Sequence, residues 1–396
     1  MTKKISTPSL LLFIILVGFP QISETIYTPS LPDISQTFGV SSNIIQLTLS
    51  LYFFGFALGV FFWGRLSDVI GRRPAMLWGI IIYGVGSLGC YLSNAVEWLL
   101  ISRFVQAFGA STGSVVTQAI LRESIDGVRR HVVFAQISAA LAFTPAIGPL
   151  LGGFIDQAWG FRAVFFTLVV LGAVVFVYTF MALPETKLSV TSKSSVRLVA
   201  KRMARDKRVW LFGLLIGLTN GILFSYYAEA PFIYIEFFHM TPGVFGFFGV
   251  FVALASIIGA LLSKKLLQKL SAERIIYLGS LVTTLGAGFL TSLVLIGLDS
   301  SILSLVLLVS SVFTLLMGIG MAIPNCLSLA LVNYHDTQGT AGAIFGLSYY
   351  FIVSFITTGM SYLHNGTLLP MPMYFLLLAL VKVIVSYNLM TPSKID

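Results

Sequence analysis

Charge is scarce in this chain. Asp, Glu, Lys and Arg together make up 10% of 396 residues, against about a quarter in an ordinary soluble domain. Cys occurs twice and His four times. Cys90 and Cys326 both fall inside apolar runs, which argues against a disulfide framework and against a metal site. His131, His239, His335 and His364 lie far apart in sequence near the ends of apolar runs. Nothing resembles a His/Glu metal pair, a nucleophile elbow or a catalytic loop, so a membrane-embedded enzyme or receptor is the weakest reading. What the chain does have is apolar surface: 57% of its residues are hydrophobic, and the mean hydropathy is +0.94.

Seven stretches, 5–23, 74–96, 104–121, 163–184, 209–228, 237–263 and 275–298, contain no Asp, Glu, Lys or Arg. A bilayer crossing takes about 20 apolar residues, so this is a polytopic membrane protein. Backbone in lipid must satisfy its own hydrogen bonds, which leaves helices or a closed barrel. Barrel strands alternate polar and apolar residues, and these runs do not. Twelve spans are expected, near 8–30, 44–63, 75–93, 98–121, 132–155, 162–183, 209–232, 243–263, 275–297, 301–331, 341–362 and 372–390. The first apolar run is followed by no small-residue cleavage site, so it reads as an uncleaved helix rather than a signal peptide.

The net charge of +9 carries topology. Of the 24 basic residues, 21 fall on one set of connections, among them Lys3, Lys4, Arg65, Arg72, Arg73, Arg122, Arg129, Arg130, Lys264, Lys265 and Lys394. The opposite connections hold only Arg162. The positive-inside rule places the first set and both termini in the cytoplasm. Nucleic-acid binding, the other common meaning of a basic chain, does not fit that one-sided distribution.

The only long polar segment, 184–208, divides the chain into a six-helix unit at 1–183, a cytoplasmic linker and a second six-helix unit at 209–396. The halves resemble each other at an offset of 200 residues: "FGVSSN" at 38–43 aligns with "FHMTPG" at 238–243, Gly59 with Gly259, and Arg65 with Lys265. An even number of spans per half gives a parallel repeat, the architecture of transporters that rock about a central site.

Four charges crowd into "GRLSDVIGRRPAM" at 64–76. Gly64 and Gly71 permit close approach and tight turning, Pro74 suits a first helical turn, and Arg72 and Arg73 fix the side. Asp68 is not needed for topology. The pattern resembles the signature loop of the major facilitator superfamily, and the resemblance covers essentially the whole chain. "RFVQAFGAS" at 103–111 resembles that superfamily's fourth-helix motif, with Ala107 where glycine is usual. "TPAIGPLLGG" at 144–153 resembles the fifth-helix motif of its antiporters. "IQLTLSLYFFGFALG" at 45–59, "APFIYIEFFHMTPGVFGFFG" at 230–249 and "GMAIPNCLSLAL" at 320–331 look like the Bcr/CflA group of proton-coupled drug exporters.

The resemblance implies an all-α fold of two pseudo-symmetric six-helix bundles. It further implies a monomer in the bacterial cytoplasmic (inner) membrane that uses the proton gradient and no cofactor or metal. Its partners would be protons, lipid and a small amphiphilic substrate, exported in exchange for protons. An exporter of a siderophore or metabolite, or an importer on the same fold, are the alternatives. Pro145, Gly148, Pro149, Gly152 and Gly153 would form a bent, flat-faced fifth helix at the seam between the halves.

Charges left inside spans are costly and usually functional. They are Glu24, Arg103, Glu229 and Lys382. A carboxyl in a low-dielectric site favours its neutral form and can carry a proton between the two sides. Glu24 and Glu229 are therefore the expected proton carriers, with Arg103 as their modulator. Related exporters more often place an acid at the position of Thr25; here Glu24 stands one residue earlier, about 100° around the helix. Asp33 and Glu236 are expected in loops; for Lys382, midway along span twelve, a contact with lipid or Tyr387 and a functional role stand as equal alternatives. Tyr27, Gln106, Asn220, Tyr226, Tyr227 and Asn325 are the expected polar contacts of an aromatic substrate cavity. Gly64, Asp68, Gly71, Arg72, Arg73 and Arg122 would form a conformational latch, with Asp68 reaching the start of span eleven at 339–341.

Overall fold

The computed structural model describes residues 8–125, 127–187 and 195–390, without the side chains of 127–131, 135, 138, 335, 336 and 338. Lys3, Lys4, Lys193 and Lys394 therefore lie outside the described residues, as do the side chains of Arg129, Arg130, His131 and His335.

Twelve helices among the described residues are long and apolar enough to cross a bilayer. They are α1 (Leu10–Phe38), α2 (Ser42–Ile70), α3 (Arg72–Leu92), α4 (Val96–Ser124), α5 (Val132–Trp159), α6 (Phe161–Ala182), α7 (Lys207–Phe237), α8 (Pro242–Leu266), α9 (Ala272–Ile296), α10 (Ile302–Tyr334), α11 (Gly339–Leu363) and α12 (Pro370–Met390). The described residues contain no strand. Helix ends follow local chemistry. Ser9, Thr241, Ser271 and Ser301 accept from backbone N–H groups three residues on, and Asp206 caps α7 by accepting from Arg208 N and Val209 N. Such caps satisfy donors that the first helical turn leaves unpaired.

Three spans run well past where hydropathy alone ends them: α2, expected at 44–63, stays helical to Ile70, so residues 64–70 of the signature stretch are helix and not loop, and α1 and α7 extend likewise. In α1 the α-helix stops at Thr25, a 3-10 turn covers Thr28–Ser30 and a second helix covers Leu31–Phe38. Asp33, expected in a loop, sits in the first turn of that extension and accepts from Phe161 N at 3.4 Å. Glu236, also expected in a loop, belongs to a π-helical turn at Phe232–Phe237 that closes α7.

The spans form two pseudo-symmetric six-helix bundles, α1–α6 and α7–α12. In each, the fourth helix packs on the second and third, and glycines 200 residues apart make equivalent crossings: a Cβ on Gly59, Gly79 or Gly86 would press on α4, and one on Gly259, Gly279 or Gly286 on α10. Between α6 and α7 a short helix, Val196–Arg205, buries Val199 and Met203 and turns its basic residues outward.

Two seams join the bundles. At the end away from the basic loops, Asn43 Nδ2 of α2 donates to the carbonyls of Ser361 and His364 at 2.8 and 2.5 Å, and Ser354 Oγ of α11 donates to Ser50 O at 2.9 Å. The α2–α11 contact continues to the basic end, where a Cβ on Gly64 would lie 3.4 Å from Ala343 Cβ. The second seam sets α5 against α8. Would-be Cβ atoms on Gly249, Gly246 and Gly153 meet backbone of Pro145 and Ala146, of Pro149 and Leu150, and of Pro242 and Gly243 respectively. Glycines at three-residue spacing on α8, Gly243, Gly246 and Gly249, let backbones touch, as membrane helices without a hydrophobic drive require.

Candidate transport cavity

Where the seams meet, the chain leaves a chamber of about 380 Å³. Gln21, Glu24 and Thr25 of α1, Asn220, Phe224 and Tyr227 of α7, Phe56 of α2, and Tyr349 and Tyr350 of α11 line it. It shares Val17, Ser114, Leu327, Tyr349 and Tyr350 with a wider cavity of about 640 Å³ toward the basic end. Arg65, Asp68, Arg72, Arg122, Gly339 and Thr340 line that wider space. The seams close the far end, so this conformer faces the basic loops.

Among the described residues, Glu24 is the one acidic residue lining the chamber. It is 9% exposed and makes no hydrogen bond or ion pair among the described residues. The offset from Thr25 does not turn it away from the cavity, because both residues line the wall. Arg103 lies behind this wall. Its guanidinium is fully buried, 3.9 Å from the Tyr27 ring centroid and 4.3 Å from that of Tyr52. It donates to Gln106 Oε1 and, at 3.4 Å, to Ser23 O, while Nε and Nη2 have no partner. Its charge acts on Glu24 through space without contact. A snorkelling arginine would reach the interface; this one does not.

Several expected cavity residues are placed elsewhere. Tyr27 shares a hydrogen bond with Thr48 at 3.0 Å, and Gln106 donates to Ser87 Oγ at 2.8 Å, both inside the first bundle. Tyr226 faces Tyr234 Oη at 3.5 Å. Asn325 donates to Ser263 Oγ at 2.7 Å, joining α10 to α8. Each had a helix face to choose, and each satisfied its polar group within its own bundle, as burial demands. Asn220 and Tyr227 do line the chamber. Tyr349, Tyr350, Phe56 and Phe224 were not singled out in sequence, where they merged with the general aromatic content. Lys382 meets neither lipid nor Tyr387: it is fully buried and donates to Thr283 Oγ1 at 3.3 Å, while Tyr387 packs on Tyr277.

Glu229 lies apart from Glu24, in the far-end seal. Its carboxylate accepts from Gln46 Nε2 at 3.2 Å and contacts His364 Nδ1 at 2.9 Å. Tyr227 spans the same seal, donating to Pro145 O at 3.2 Å. Pro149 has no N–H to offer the carbonyl four residues back, so the tyrosine supplies the missing donor. The motif glycines divide their work: Gly148 and Gly152 lie against Thr25 and Ile26 of α1, and Gly153 against the start of α8.

The signature loop is clipped within its own bundle. Gly71, with φ +106°, breaks α2 from α3 in one residue. Arg72 binds Asp68 at 2.6 Å, Glu123 at 2.6 Å and Ser67 Oγ at 2.7 Å. Glu185 accepts from Arg72 N at 2.9 Å and Arg73 N at 3.2 Å, capping α3, and Arg73 reaches Phe180 O at 2.8 Å. Asp68 therefore holds Arg72 in this conformer and not the start of α11, which faces it across the open cavity. Glu123 and Glu185 were not anticipated; their place directly after spans four and six, beside the basic loop, was the available signal.

Two bundles around a chamber open at one end define a polytopic membrane transporter. The chain belongs to the Major Facilitator Superfamily, whose sequence model matches residues 13–358. It is 35% identical over 382 residues to an uncharacterized transporter of Rickettsia bellii (strain RML369-C), covering 94% of each chain. It is 26% identical to a bicyclomycin resistance protein homolog of Haemophilus influenzae, covering 67% of this chain and 69% of the relative. The fold matches the crystal structure of a D-xylose–proton symporter with a TM-score of 0.79, at 12% identity over 96% of each chain.

Proposed function

We propose that this transporter exports small amphiphilic compounds in exchange for protons. The reading rests on one observation: an unpaired carboxylate, Glu24, faces an aromatic chamber that is sealed at one end, with the buried cation of Arg103 behind it. The aromatic walls offer dispersion and cation–π contact to lipophilic molecules. Glu24 gives proton and substrate a common place to compete. In the conformer described, substrate enters from the basic end and displaces the proton of Glu24; the bundles then rock, and the far side returns a proton to the carboxylate. The resemblance to a bicyclomycin resistance protein homolog supports export of drug-like compounds. The basic end is taken as the cytoplasmic face of the inner membrane of a bacterium, by the bias of lysine and arginine. The carrier acts as a monomer, draws on the proton gradient, and has no enzymatic step.

The test is transport in proteoliposomes under an imposed pH gradient. Export predicts that lipophilic dye moves against its gradient as protons move the other way. Glu24→Gln keeps the shape and removes titration, so dye binding to this variant should lose its pH dependence while proton-driven accumulation falls about a hundredfold or more. Co-directional flux of dye and proton would make the protein an importer instead.

A further inference from the structure

The far-end seal contains titratable groups that the Glu24 chamber does not use. Glu229 comes from α7 and His364 from the residue after α11, with side chains 5% and 9% exposed. His364 Nδ1 stands 3.0 and 2.9 Å from the two carboxylate oxygens. The first bundle grips this pair through α2, where Gln46 Nε2 donates to Glu229 at 3.2 Å and Asn43 Nδ2 donates to His364 O at 2.5 Å. Phe232 packs its ring 5.3 Å from the imidazole and begins the π-helical turn that ends α7. Such turns replace regular helix where a segment has a functional reason to deform.

We propose that Glu229 and His364 form a second proton-binding site, separate from the Glu24 chamber, whose protonation state decides whether the far end stays shut. With Glu229 ionised and His364 protonated, opposite charges join α7 to the end of α11 and present Glu229 as a strong acceptor to Gln46. A proton lost from His364 removes one charge of the pair and weakens the grip of α2. The inference goes beyond the exporter reading, because it needs neither a proton-driven flux nor a particular cargo.

The sign of the alkaline limb follows from the surroundings of His364. Burial alone would lower the imidazole, but the hydrogen bond and charge of Glu229, with the charge of Glu236, outweigh it and hold His364 above its ordinary value. The titratable groups facing the ring are Glu229 and Glu236, both of α7, and α2 adds only the neutral amides of Asn43 and Gln46. A group raised in the closed state lends its stability fully below the ordinary imidazole range and loses it as pH rises through the raised value. The seal is therefore held below the ordinary imidazole range and loosens as pH rises above it.

Spin labels at Gln36 and Ser300, both exposed near the far end on opposite bundles, read this directly. The two native cysteines are buried. Wild-type protein in nanodiscs should shift toward long distances between about pH 6 and about pH 9, with the long-to-short ratio rising about tenfold. Glu229→Gln should show a raised long fraction at every pH and no alkaline rise. His364→Arg keeps a charge that does not titrate in this range, so it should stay short throughout. Asn43→Ala removes part of the grip but neither titrating group, so it should raise the long fraction and keep the wild-type midpoint. An unchanged wild-type distribution, or an alkaline rise in His364→Arg matching the wild type, overturns the site. Loss of proton-driven flux in Glu24→Gln has no bearing on these distances, so this proposal and the exporter reading fail separately.

Discussion

Arg103 shows what one side chain does when charge is scarce. Its guanidinium lies between two tyrosine rings and keeps two nitrogens unpaired in a fully buried place. A planar cation suits that slot, and an ammonium on a flexible stem does not. Arg103→Lys should retain the charge yet lose the stacking, at about 1–2 kcal/mol, seen as a lower unfolding temperature and as weaker pH-gradient-driven transport. An unchanged melting temperature would mean the rings are mere neighbours. That Arg103 and Glu24 are charges held inside spans was legible in the sequence, because a charge inside an apolar run is conspicuous. Their surroundings were not. Gln106 and Asn325 look like cavity donors by composition, but hydropathy does not say which face of a helix a residue takes. The pairing of Glu229 with His364 spans 135 positions, and nothing local to either residue announces it.

At the scale of elements, α5 offers two neighbouring glycines with different duties. A methyl at Gly152 meets the Ile26 carbonyl of α1 within one bundle, whereas a methyl at Gly153 meets α8 across the seam. Gly152→Ala should cost about 1–3 kcal/mol of overall stability, lowering the melting temperature whichever end is open. Gly153→Ala should cost most with the far end shut, and so lengthen the spin-label distance while sparing the melting temperature. Tyr227→Phe removes the donor to Pro145 O. That loss of about 1 kcal/mol should shift the ratio of conformers roughly fivefold toward far-end opening. The fifth-helix motif was readable as small residues and prolines on one helix. Its partner ladder on α8 was printed in the same sequence, in "TPGVFGFFG", but which helices cross is a property of the fold.

For the whole molecule, the twelve spans were legible because lipid leaves backbone almost no alternative to helix, and the misjudged ends fell where helix persists past the apolar stretch, at Asp33, at residues 64–70 and at Glu236. The orientation remains open to direct measurement: cysteines placed at Ser195 and at Ser300 should react with impermeant reagent from opposite faces of intact cells, and reaction of both from outside would refute the twelve-span topology. One further consequence concerns the α2–α11 seam, which holds from Asn43 and Ser361 at one end to Gly64 and Ala343 at the other. Two covers joined along one edge do not part evenly. With α2 and α11 as the spine, the basic-end mouth gapes on the opposite edge, where Phe134, Ile137 and Leu141 of α5 look toward Leu327 and Leu331 of α10. While the far end stays shut the spine holds, the basic-end mouth swings on that fore-edge, and the facing pages are lined with hydrocarbon.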